Sequence, residues 1–244
     1  MSRVLTLLAG LCLALALPPA AAARAMPVAV PVGAQFTDTS GNLLHAHGGG
    51  VIKVGSYYYW FGGNRNADGT FRYVSAHRSA DLRTWEFRNH VLTQSSAAEL
   101  QVANIERPKV VYNASTGQFV MWMHKENGRD YGEARAAVAV SNTVDGAYTY
   151  LRSFRPLGHM SRDITAFVDT DGTGYMISAA NENYDLHVYR LTADYTDVAA
   201  LARLAVRHSG KCADLPSSSQ ADDVQFKQYA CNGGQNQQFT RTQL

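Results

Sequence analysis

The 244-residue sequence predicts an all-β protein assembled from radially packed, four-stranded blades of the propeller kind. Three observations carry this. Short strand-like runs separated by Gly, Asn and Asp turns fill residues 50–195, and no long stretch holds a helical period. Three segments repeat one plan of strand, glycine-bearing turn and aromatic strand: VIKVGSYYYWFGG from Val51, KVVYNASTGQFVMWMHKE from Lys109 and TAFVDTDGTGYMISAAN from Thr165. Each is followed by a third strand and, after a polar turn, a fourth, so that four strands recur about every 54 to 60 residues.

Ahead of the blades, Arg3, the apolar run Val4–Leu17 and the small-x-small triplet Ala23-Arg24-Ala25 read as a secretory signal peptide over residues 1–25. The run is too short for a membrane span of about 20 residues and the sequence offers no second candidate. The product is therefore expected to be secreted and extracellular, an uncleaved anchor being the other reading. Blade one takes its third and fourth strands from FRYVSAHRS and SADLRTWEFRN, blade two from AAVAVSN and TVDGAYTYLRS, and blade three from LHVYRLT and TADYTDVAAL. From Ala199 to Val206 the chain continues as a fourth strand or a short helix and enters a different module without a Pro-, Gly- or Ser-rich linker. The expected division is 26–206 for the blades and 207–244 for the C-terminal module. A sandwich of twelve strands is the alternative architecture. A closed propeller needs roughly four to eight blades, so three leave two blade faces uncovered.

Loss of residues 1–25 removes Arg3 and Arg24 and no acid, which brings the 22 basic side chains to 20, level with the 20 acidic ones. A neutral chain without a basic stripe lacks the attraction that nucleic acid and anionic membranes require, and suits neutral ligands such as sugars. Of three cysteines, Cys12 leaves with the signal. Cys212 and Cys231 remain in an oxidising compartment, where a disulfide is the default and zinc ligation fits no recognisable spacing. No cluster of oxygen ligands for a metal can be read, and no cofactor is implied.

In a propeller the first strand of each blade lines the central channel, so polar residues on or beside those strands converge. This gathers His45 and His47 of HAHGGG, Glu106 of NIERPK and Asp163 of SRDITAF. Two carboxylates at equivalent places in successive blades suit glycosidic cleavage, where one group protonates the leaving oxygen while another aids the attacking water or tunes its partner. The plainer reading is that each carboxylate pairs at the surface with its neighbour, Arg107 or Arg162.

The stretches HAHGGGVIKVGSYYYWFGG, NIERPKVVYN and SRDITAFVDTDGTGYMISAANENYDLHVYRL lie within roughly residues 36–199. They resemble the first three blades of glycoside hydrolase family 43, the five-bladed propeller glycosidases, and especially its exo-β-1,3-galactanase-like branch. The resemblance implies inverting release of galactose from β-1,3-galactan or arabinogalactan side chains. It implies Glu106 and Asp163 as active-site carboxylates that hold the terminal galactose or modulate the proton donor. Tyr131 of KENGRDYGEA becomes a hydroxyl in the sugar subsite, and His47 its floor. Taken alone, Tyr131 also reads as a hairpin packing residue and His47 as a core histidine beside three glycines. The sequence departs from the branch at Gly63, where an acid is usual, and in lacking the fourth-blade Glu that donates the proton. Past Asp197 its carboxylates are Asp214, Asp222 and Asp223. The expectation is half an active site.

HSGKCADLPSSSQADDVQFKQYACNGGQNQQF, residues 208–239, resembles one repeat of a ricin-type β-trefoil lectin, carbohydrate-binding module family 13. The resemblance implies a partial trefoil repeat in which Asp214 accepts hydrogen bonds from sugar hydroxyls and Tyr229 stacks on the sugar face. Asn236, with Gln237 beside it, completes that site. Lys227 stands where Gln is common and Phe239 where a core Trp is usual, and a non-binding repeat is the other reading. One repeat of ~40 residues buries too little to be comfortable alone. The expected function is a secreted family 43-type glycosidase with a lectin repeat. A non-catalytic galactan-binding protein is the alternative, and a deletion product that does not fold stably is the third reading.

Overall fold

A computed structural model describes residues 35–201, together with Gly33 and three short strands further on. Blade one comprises β1 (His47–Val54), β2 (Tyr57–Arg65), β3 (Phe71–Ser79) and β4 (Glu86–Thr93). Blade two comprises β5 (Asn104–Asn113), β6 (Gln118–Glu126), β7 (Arg135–Ser141) and β8 (Thr149–Phe154). Blade three comprises β9 (Ile164–Val168), β10 (Gly174–Ala180), β11 (Asp185–Leu191) and β12 (Val198–Leu201). Every sheet is antiparallel with its strands in sequence order, the meander of a propeller blade. The stretch after Asp197 resolves in favour of strand: β12 pairs with β11 through Leu191↔Val198 and Tyr189↔Leu201.

Two core clusters separate three layers, which distinguishes this architecture from a two-sheet sandwich. The first joins Phe61, Val74 and Ala76 of blade one to Met121, Met123 and Ala139 of blade two. The second joins Val120, Trp122 and Val138 of blade two to Met176, Tyr189 and Leu191 of blade three. Strand β6 serves both, because odd-numbered residues on it face blade one and even-numbered residues face blade three. That is why QFVMWMHKE reads as a continuous apolar run: both faces of the strand are covered. Blades two and three are pinned by Trp122, whose Nε1 donates to the Tyr195 carbonyl at 3.0 Å, and by Asn113, whose Nδ2 donates to the Ala193 carbonyl at 2.8 Å.

The HAHGGG motif does not precede blade one; it enters it. β1 begins at His47, and the three glycines lie inside the strand. A Cβ on Gly49 would sit 1.9 Å from the Phe61 carbonyl oxygen, and one on Gly62 would sit 2.1 Å from Ala46 Cα. Backbones pass each other here at a separation that excludes any side chain. The opening is closed by Lys109 of blade two, whose Nζ donates to the carbonyls of Gly48 at 2.6 Å and Gly49 at 2.8 Å. Burial of that ammonium, with Arg107 nearby, pushes its pKa down to about 8.

A smaller antiparallel sheet follows, in the order β13 (Ala205–Val206), β14 (Lys211–Asp214) and β15 (Lys227–Ala230). Its register sets Ala205 opposite Cys212 and Cys212 opposite Tyr229, so the expected 206/207 boundary falls within the β13–β14 hairpin. Asp214 and Tyr229 thus lie on adjacent strands. Cys231, Asn236, Gln237 and the signal segment lie outside the described residues. Among the described residues, no helix is long and apolar enough to cross a membrane.

Candidate active site

Glu106 is built into β5 and faces His124 across the β5–β6 ladder. Directly after it the ladder breaks: pairing resumes only at Lys109↔Trp122, leaving Arg107 and Pro108 in a bulge. Arg107 takes a left-handed backbone, with φ of 50°. Proline has no N–H to give a ladder, so its place in the bulge involves no loss. The bulge re-aims two successive side chains. Glu106 turns to the inner end of blades one and two, and Arg107 reaches across to blade three.

The two carboxylates are each held by an arginine from another blade. Glu106, 8% exposed, forms an ion pair with Arg65 at the end of β2. Asp163, exposed just before β9, pairs with Arg107. The plainer reading of a surface pair with a nearby arginine holds for Asp163, whose partner is Arg107, and not for Glu106, which pairs with Arg65, while Arg162 binds Glu182 at 2.5 Å and the Tyr131 carbonyl at 2.9 Å. Tyr131 lies on the loop between β6 and β7, and its hydroxyl donates to Glu106 Oε1 at 2.9 Å. Burial first, and then the Glu106 carboxylate, push the Tyr131 pKa up, so this hydroxyl stays protonated and acts as a donor.

His124 stands behind Glu106, with Nδ1 3.8 Å from Oε2. Ligand atoms of Glu106, His124 and Asp163 all lie within 4.8 Å of one another. Three such groups have the chemistry to hold a cation. Here both carboxylates are neutralised by guanidinium groups that repel a cation, and the arrangement suits a neutral polyhydroxyl ligand better. His47 is an exposed member of β1 opposite Gly63. Gly63 packs under β5, its Cβ position 3.4 Å from the Ile105 carbonyl oxygen. The structure therefore brings Glu106, Asp163 and Tyr131 together around one point, with His47 on the neighbouring strand. Sequence reasoning missed Arg65, His124 and Glu126. The spacing of His124 and Glu126 on one strand face was a signal available in MWMHKE; Arg65 left none.

Carboxylates and a tyrosine hydroxyl, clamped between blades at the inner ends of their first strands, define the class: a propeller of the glycoside hydrolase type. The chain belongs to glycosyl hydrolases family 43, whose profile matches residues 47–240. It is similar to 1,3Gal43A, an exo-β-1,3-galactanase from Clostridium thermocellum, with 60% identity and a TM-score of 0.69 over 69% of this chain and 39% of that one. It also resembles a variant of the exo-β-1,3-galactanase of Phanerochaete chrysosporium solved with β-1,3-galactotriose, at 38% identity and TM-score 0.67 over 70% of this chain and 41% of that one. A family 43 β-1,3-galactosidase solved with galactodeoxynojirimycin matches at 34% identity and TM-score 0.66 over 70% of this chain and 64% of that one. The chain thus spans less than two thirds of each of these relatives. A search of curated proteins returns no match.

Proposed function

We propose that the chain is a secreted, galactan-directed member of the family whose site holds the terminal galactose of a β-1,3-linked chain without cleaving it. The observation that carries this reading is the cross-blade cluster: Glu106 fixed by Arg65 and Tyr131, and Asp163 fixed by Arg107. Charge-assisted contacts of this kind hold the carboxylates in fixed positions from which their oxygens can accept from sugar hydroxyls. The galactotriose complex of the Phanerochaete chrysosporium relative supports the ligand class. In this reading Glu106 and Asp163 are the carboxylates that touch the sugar, Tyr131 is a hydroxyl partner and His47 lines the floor. Turnover by inversion also requires a carboxylic acid to protonate the leaving oxygen. By the resemblance that acid is a fourth-blade Glu, and the carboxylates past Asp197 are Asp214, Asp222 and Asp223, all of them in the C-terminal residues 207–244. The loss of one acid/base partner is worth about 100- to 10,000-fold in rate.

The test is calorimetric titration of the purified chain with β-1,3-galactobiose. Glu106→Gln and Tyr131→Phe should each weaken binding about tenfold or more, since each leaves a partner without its charged or hydroxyl contact. Binding unchanged in both variants would refute the site assignment.

The C-terminal residues 207–244 extend the proposal as one ricin-type repeat, with Asp214, Tyr229, Asn236 and Gln237 around a second sugar and a Cys212–Cys231 disulfide. Alkylation of the native and reduced chain followed by mass measurement checks the disulfide. The same measurement on secreted material checks cleavage after Ala25.

A further inference from the structure

Glu126 ends β6 and is fully buried, yet the sugar-binding reading gives it nothing to do. Both of its oxygens are engaged. Oε1 meets His124 Nε2 at 2.7 Å, and Oε2 accepts the Ala134 N–H at 3.0 Å. Residues two apart on a strand share a face, so His124 and Glu126 continue the row of Trp122 toward blade three. His124 is 1% exposed, and its Nδ1 has no hydrogen-bond partner. A carboxylate can only accept, so the ring hydrogen of His124 belongs on Nε2. At the other side of the ring Nδ1 faces Glu106 Oε2 at 3.8 Å.

The other oxygen governs a loop. Ala134 closes the β6–β7 connection with a left-handed backbone, φ 45°, a conformation that a non-glycine residue holds only when its surroundings enforce it. From the same loop come the Tyr131 hydroxyl on Glu106 and the carbonyls of Gly132 and Glu133 that receive Arg155 at 2.8 and 3.0 Å. One buried carboxylate therefore anchors two of the groups that surround Glu106.

We propose that Glu126 is a positioning residue of the sugar site: it orients the His124 ring by accepting from its Nε2–H, with Nδ1 turned to Glu106, and fixes Ala134 so that Tyr131 stays on Glu106. This rests on the sugar-binding reading above. A ¹⁵N-histidine correlation spectrum of the ligand-free full chain tests it without any sugar, and galactobiose titration tests it with sugar. The wild type should show His124 carrying hydrogen on Nε2. Glu126→Gln, whose amide can donate to Nε2, should remove that hydrogen and weaken galactobiose binding about tenfold or more. A wild-type ring with no hydrogen on Nε2, or a Gln variant that keeps both the Nε2 hydrogen and the affinity, would overturn the assignment. If the Gln variant does not melt cooperatively, the wild-type spectrum and the affinity of His124→Asn decide the same point, a tenfold loss supporting it and an unchanged affinity overturning it. A wild type that binds no galactobiose refutes the sugar reading, and the ligand-free spectrum still decides the link from Glu126 to His124.

Discussion

Among single residues, His77 on β3 is 3% exposed, its Nδ1 lacks a partner, and burial lowers its pKa from 6.5 to about 4. Its folded pKa lies below the unfolded value, so the unfolded chain binds the proton first. The stabilisation is whole above pH 6.5 and is lost as pH falls toward 4, by about 3 kcal/mol at most. Melting curves across that window should show the loss for the wild type and a shallower one for His77→Gln; identical slopes would remove His77 as the cause. Such buried histidines are invisible to pattern reading. Glu106 and Asp163 are legible because they stand in short motifs next to strand starts, where a repeat of blade period locates them. Their partners are not: Arg65 lies 41 residues before Glu106, and Arg107 lies 56 before Asp163, and ion pairs across blades leave no periodic trace.

At the scale of elements, strand positions follow from alternation and turn glycines, and all twelve blade strands stand where those signals put them. Boundaries were the weaker part. HAHGGG and NIERPK read as lead-ins because glycine and proline interrupt a strand pattern, yet β1 takes in the first from His47 onward and β5 contains the whole of the second. The first is glycine-rich because backbones cross there, and the second because a bulge accommodates the proline. Gly62→Ala, whose methyl would press into Ala46, should lower stability by more than about 2 kcal/mol in denaturant titration. An unaffected midpoint would mean that the crossing relaxes freely. Trp122→Phe removes the indole donor to Tyr195 between blades two and three and should cost about 1 kcal/mol, plus the lost packing.

At the scale of the whole molecule, the outer face of blade three is apolar where its inner face packs on blade two. Leu186 is 60% exposed, and Phe167, stacked on Tyr175, shares that face. Exposed apolar faces of this kind drive association. Sedimentation of the wild type should be concentration-dependent, and Leu186→Lys should reduce that dependence. The number of blades in the repeat was legible, as was the fold class; the small sheet that begins at Ala205, ahead of the cysteine motif, was not, because two residues of strand carry no period. In the proposed function these 244 residues hold a galactose end without cleaving it. Incubating the purified chain with β-1,3-galactan, while following both its melting midpoint and free galactose, separates holding from cleavage. A sugar-dependent rise in the midpoint with no galactose released is the predicted result, and release at the rate of the full-length galactanases would contradict it.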